Sequence, residues 1–155
     1  MMGYLAKSGV TMVAVPDAIS QYLQQQHVLT LCTQDQQGLW CASCFYVFDV
    51  DSMCCYLMTA DNSRHTQAMV VDPIIAGTIA DQTQSVLHIQ GIQYTAIASR
   101  VSESESAAIR QLYCQRFPVA KVKSAPLWRL ALQTVKMVDN RLGFGKKHRW
   151  QRQPD

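Results

Sequence analysis

The sequence predicts a mainly β fold of α+β class, an antiparallel barrel of about six strands with helices packed outside. Three observations carry this. Runs rich in Val, Ile, Thr and aromatic residues recur along the chain, each bounded by a turn-like cluster. The first three runs are joined by only a few residues, which is hairpin spacing and leaves no room for the crossover that parallel strands need. A later run, Val86 to Val101, is too long for an ordinary flat strand. It contains Gly91, as expected of the bulges and bends that close barrels.

Taken in order, Pro16-Asp17 starts a helix with Ile19, Tyr22 and Leu23 on one face. Val28 to Thr33 is the first strand, ended by the turn-like Asp35 to Gly38. Leu39 to Phe48 is the second, and Asp49 to Ser52 turns it into a third over Cys54 to Thr59. A short helix opens at Ser63-Arg64-His65 and must close at Asp72-Pro73, because proline disfavours helical backbone in the residue before it. Ile74 to Ile79 returns to β-formers. After the long run, Ser102 and Glu105 have capping-box spacing ahead of a helix through about Phe117, ended by Pro118. Leu127 to Val138 is the last clear strand, with Trp128, Leu130 and Leu132 alternating with Arg129, Ala131 and Gln133. Asn140 to Trp150 reads as a loop or short strand. No repeat or linker divides the chain, so one domain over 16–155 is expected, preceded by a flexible segment over 1–15.

Composition narrows the function classes. At 155 residues and 48% hydrophobic content the chain can bury a sizeable core. No apolar run approaches the roughly 20 residues a membrane helix needs. No signal peptide is expected at the N-terminus, and six cysteines without one point to reduced thiols and a cytoplasmic protein. The formal net charge of +3 is low for a nucleic-acid binder. Five cations do gather near the end (Arg141, Lys146, Lys147, Arg149 and Arg152), but no strand interleaves aromatics with basic residues.

The stretch with chemical content runs from Cys54 to Ala80. A strand ends at Met58-Thr59, and Ser63-Arg64-His65 then opens a helix. Free N–H groups and the helix dipole suit a phosphate there, and arginine adds a planar fork of donors. A capped helix with a solvated arginine is the competing reading.

These stretches together resemble the split-barrel flavoproteins related to pyridoxamine 5′-phosphate oxidase, and more narrowly the small YhbP-type bacterial proteins. The resemblance covers about Asp17 to Trp150. Its pieces are QHVLTLC (26–32), LWCASCFYVFD (39–49), SRH (63–65), AGT (76–78), IQGIQ (89–93), RFPVAKVKSAPLW (116–128) and DNRLGFGKK (139–147). It implies a split β-barrel homodimer with FMN in a groove shared by two subunits. Ser43, Phe45 and Tyr46 would lie on the strand that lines the flavin ring, with Met58 and Thr59 beside the cofactor. Ser63, Arg64 and His65 would hold the phosphate. Beyond the resemblance, Phe144 against the ring and Lys146 near the phosphate is one reading of Gly143 to Lys147, and a glycine-flanked turn with exposed lysines is the competing one. The implied activity is oxidoreduction of a small substrate, with the flavin supplying the redox chemistry. A non-catalytic module for flavin or another anionic ligand is the alternative. Two positions depart from the oxidases: His65 stands where they have lysine, and Val86 where they carry a flavin-contacting glutamine.

A metal or redox reading of Cys41-x-x-Cys44 is disfavoured, because strand alternation points the two thiols to opposite faces. The cysteines are expected to act as small buried hydrophobes. His27, His65, His88 and His148 are scattered without ligand spacing.

Overall fold

Seven strands form one antiparallel sheet in a computed structural model that describes residues 14–155. The expected flexible segment lies outside the described residues, apart from Ala14 and Val15. Helix α1 (Asp17–Gln25) leads into β1 (Val28–Asp35), β2 (Gly38–Asp49) and β3 (Cys54–Met58), a meander as expected. Helix α2 (Arg64–Val71) connects to β4 (Ile74–Ala80), which returns beside β1. Then follow β5 (Gln90–Arg100), α3 (Glu103–Arg116), β6 (Leu127–Asp139) and β7 (Lys147–Gln151). The spatial order is β3-β2-β1-β4-β5-β6-β7, and β3 also pairs with β6.

That extra pairing closes the barrel. One edge of β6 runs along β5 for its whole length. The other edge is divided: Leu127 to Ala131 pair with β3, and Thr134 to Val138 pair with β7. Six strands therefore close on themselves, and the seventh extends the sheet where β6 leaves β3. The segment read as a loop or short strand supplies this seventh strand. Gly91 does not bulge. The register shift falls at Thr95/Ala96, and Val86–His88 form a separate 3-10 turn ahead of β5.

The core follows the two sequence periods. On β6, Trp128, Leu130 and Leu132 face inward, as their alternation predicted. On α1 the i, i+3, i+4 residues Ile19, Tyr22 and Leu23 close against them. Each fully buried Leu or Ile contributes about 1.5–3 kcal/mol relative to exposure. The Tyr46 hydroxyl, also inside, donates to the Leu23 carbonyl at 2.7 Å and ties α1 to the barrel. Arg116 at the end of α3 donates to the carbonyls of Gln24 and Gln26, covering the acceptors a helix C-terminus leaves open. At the start of α3 the Ser102 hydroxyl donates to the Glu105 carboxylate at 2.7 Å and caps no amide, so the capping box that the spacing suggests does not form. Among the described residues, no helix is long and apolar enough to cross a membrane.

Candidate functional site

The end of β3 and the start of α2 bring four polar side chains together. Ser63 is the N-cap of α2, and its Oγ accepts from the Thr66 amide at 3.3 Å. The Thr66 hydroxyl, buried one turn into the helix, lies 2.7 Å from the same Oγ. Thr59 shares hydrogen bonds with His65 Nε2 at 2.7 Å and with Thr66 Oγ1 at 3.3 Å. His65 Nε2 also lies 3.3 Å from Ser63 Oγ and 3.9 Å from Cys44 Sγ. Two first-turn amides, those of Arg64 and His65, have no acceptor among the described residues. Burial holds the His65 imidazole below its ordinary pKa of 6.5, so the ring is neutral at pH 7. It also pushes the Cys44 thiol up to about 11. A thiol that stays protonated beside a neutral imidazole is not an activated nucleophile.

Arg64 turns away from this cluster. Its guanidinium donates to the Asp35 carboxylate at 3.4 and 3.5 Å and lies 4.4 Å above the Trp40 ring. Arg64 in turn lowers the Asp35 pKa, chiefly through this bond. The cation is thus held against the β1–β2 hairpin by partners that the sequence reading did not anticipate. In sequence Asp35 carries only a turn signal, and the pair spans 29 positions.

Strand alternation separates the other candidates. Phe45 is 54% exposed on the outer face of β2, while Tyr46 is fully buried inside the barrel. Tyr46 therefore belongs to the core and presents no surface to a ligand. Phe45 and Met58 line one groove of about 200 Å³ together with Tyr113, Phe117, Val119 and Lys123. The Tyr113 hydroxyl donates to the Phe45 carbonyl at 3.2 Å. Ser43 lies in a different cleft of about 570 Å³, beside Thr30, Thr78 and Asp81. Phe144 is 80% exposed at the β6–β7 hairpin, where Gly143 and Gly145 both take positive φ. Lys146 follows it, its amide bonded to the Gly143 carbonyl. Val86 is exposed in its 3-10 turn. Within one chain, then, Thr59, Ser63 and His65 meet; Phe45 and Met58 meet elsewhere; Ser43, Arg64 and the Phe144-Lys146 hairpin each stand apart.

Cys44 faces inward and Cys41 outward, as alternation required. Cys54, Cys55 and Cys114 are buried, but Cys32 and Cys44 are only half-buried and Cys41 is exposed, so the expectation of buried cysteines fails for these three. Among the described residues, no group of three His, Cys, Asp or Glu side chains is placed to hold a metal.

A closed six-strand barrel with a seventh strand on a divided edge and helices outside defines the α+β split-barrel class. The chain is 52% identical over 134 residues to a UPF0306 protein of Yersinia pseudotuberculosis, covering 86% of this chain and 91% of that one. The chain belongs to the UPF0306 family. No protein-family model matches it. Among solved structures, a heme-binding protein from Mycobacterium smegmatis is similar with a TM-score of 0.72 at 21% identity, over 90% of this chain and 60% of that one. A FAD-binding protein from Mesorhizobium loti is similar with a TM-score of 0.65 at 9% identity, over 76% and 89%. At these identities the likeness establishes the fold.

Proposed function

We propose that this protein binds a phosphate-bearing flavin, FMN, at the start of α2, and that it works as a homodimer with oxidoreductase activity on a small substrate. The observation that carries the reading is the α2 N-terminus. Two amides without an acceptor among the described residues, the Ser63 and Thr59 hydroxyls and the His65 imidazole converge there, a polar end suited to an anion. The split-barrel neighbours that bind FAD or heme support a ligand-binding module on this fold. The residues fit the phosphate: Ser63, His65 and the first-turn amides would hold it, and Arg64 would join on leaving Asp35. The apolar groove at Phe45 and Met58 would take the edge of a flat ring. Bound flavin would supply the redox chemistry, and the chain would bind and orient it.

A second copy is part of the proposal because one chain leaves the candidates apart. The Phe144 ring of the β6–β7 hairpin is 80% exposed among the described residues, and a neighbouring subunit could bring it to the cluster. A non-catalytic module for flavin or another anionic ligand is the second reading. The Arg64–Asp35 pair favours it, since a neutralised arginine lessens the pull on a doubly charged phosphate.

The deciding experiment is a titration of protein, stripped of small molecules, with FMN, FAD and hemin, followed by absorbance and fluorescence. Saturable FMN binding lost on Ser63→Ala supports the reading. Hemin binding alone, or no binding, removes it. Reduction of bound flavin by NAD(P)H, and reoxidation by an acceptor, would separate an enzyme from a carrier.

A further inference from the structure

Cys32 on β1 and Cys41 on β2 are register partners. The flanking ladder shows what kind of pair they form. The Tyr46 amide donates to the His27 carbonyl at 3.0 Å, so His27 and Tyr46 are a hydrogen-bonded pair in the same register. Antiparallel ladders alternate, which makes Leu29–Cys44, Leu31–Ala42 and Thr33–Trp40 hydrogen-bonded pairs too. Cys32–Cys41 falls between two of these and is a non-hydrogen-bonded pair. There the Cα atoms approach to about 4.5 Å and side chains are closest. A disulfide accepts Cα separations of about 4.4–6.8 Å. Both thiols leave the sheet on its outer face, with Cys41 exposed and Cys32 half-buried. The neighbour of Cys32 on the other side is Ala76, too small to wedge the pair apart.

From this register we propose that Cys32 and Cys41 form a redox-active dithiol that closes to a cross-strand disulfide. The proposal is independent of the flavin reading. The oxidant class is a low-molecular-weight disulfide such as oxidised glutathione. The Cys41 thiol loses its proton, and its sulfur attacks one oxidant sulfur, which releases the first glutathione thiolate. The Cys32 thiol then loses its proton and attacks the Cys41 sulfur of the mixed disulfide, which releases the second. One S–S bond breaks and one forms. Two electrons pass from the protein thiols to the oxidant, and the two protons end on the released glutathione. The order follows exposure: Cys41 is open to solvent, whereas burial and the adjacent Cys41 thiol raise the pKa of Cys32. The other four cysteines lack such a partner. Cys44 points inward toward His65, adjacent Cys54 and Cys55 point to opposite faces, and Cys114 is buried on α3.

The test treats the full chain with oxidised glutathione, then alkylates under denaturing conditions and reads intact mass and peptide map. The expected result is loss of two of the six thiols, with Cys32 and Cys41 in one cross-linked species that dithiothreitol reverses. Cys32→Ser should instead leave glutathione attached at Cys41. Wild-type protein that keeps all six thiols would overturn the proposal. So would stable glutathione on Cys41, or a disulfide involving any other cysteine.

Discussion

The Tyr94 hydroxyl donates to the Thr30 carbonyl at 3.0 Å, passing over the position where Gly77 has no side chain. Gly77 is the register partner of Leu31 on one side and Tyr94 on the other. A β-carbon at 77 would press on the Thr30 oxygen and the Tyr94 ring far inside contact distance. Gly77→Ala should therefore cost about 3 kcal/mol in urea or thermal melts, at the upper end for overpacking. Tyr94→Phe removes only the bond and should cost about 1 kcal/mol. Equal losses in the two variants would mean that the clash is relieved by movement of β4.

The Arg64–Asp35 pair sets up a test with opposite signs. If Arg64 contributes to phosphate binding after leaving Asp35, Asp35→Asn should tighten FMN binding several-fold. Arg64→Ala should weaken it by a similar factor. Fluorescence quenching of FMN reads both. Unchanged affinity in both variants would remove Arg64 from the site and leave the α2 amides and hydroxyls to account for binding.

Acid should destabilise the fold in two stages. Burial holds the His65 pKa below 6.5, so the unfolded chain takes up that proton first. The stability held above pH 6.5 then falls as pH drops toward the folded value. Asp139 is held below 3.8, first by its bonds to Arg141; Asp35 and Glu105 are likewise lowered by Arg64 and Arg129. Their contribution is present above the ordinary carboxylate range and is lost as pH falls through the folded values. Midpoints of denaturant unfolding across pH should show both stages. His65→Gln should flatten the upper one and Asp139→Asn should reduce the lower one.

Arg152 reaches back from the chain's last residues to three carbonyls, those of Leu132, Ser52 and Met53, at 2.8, 2.9 and 3.0 Å. Met53 has a φ of 51°, uncommon for a residue other than glycine, and its side chain is buried. Arg152→Met keeps most of the apolar stem and removes the charged donors. It should cost about 2 kcal/mol by thermal melt. Recovery of most of that loss in Arg152→Lys would show that a cation suffices without the fork.

Local pattern carried much of the fold. The alternation of Trp128, Leu130 and Leu132, the spacing of Ile19, Tyr22 and Leu23, and the turns at Asp35 and Asp49 are short-range signals that tertiary packing reinforced. What escaped the sequence was pairing at a distance. Nothing near Leu127 tells that it will meet Met58, nor near Lys147 that it will extend β6. The bulge at Thr95/Ala96 is likewise set by how β5 must bend along β6, whereas Gly91 only permitted a bend. At the site, Ser63 was legible because N-caps have a residue preference, and Thr66 could have been found as the hydroxyl three positions on. Asp35's hold on Arg64 was not legible, because it depends on the fold bringing the β1–β2 hairpin to α2.

The divided edge of β6 also bears on how the chain comes off the ribosome. Residues 127 to 139 supply the strand that β3 and β5 both lack. Until they emerge, a nascent chain carries two open strand edges, at β3 and β5, with much of the core already synthesised. Open edges are templates for other chains. Translation stalled or cut before Leu127 should therefore yield aggregates rather than a smaller stable barrel. Late closure by one distant strand also favours slow folding, since its contacts span long stretches of sequence.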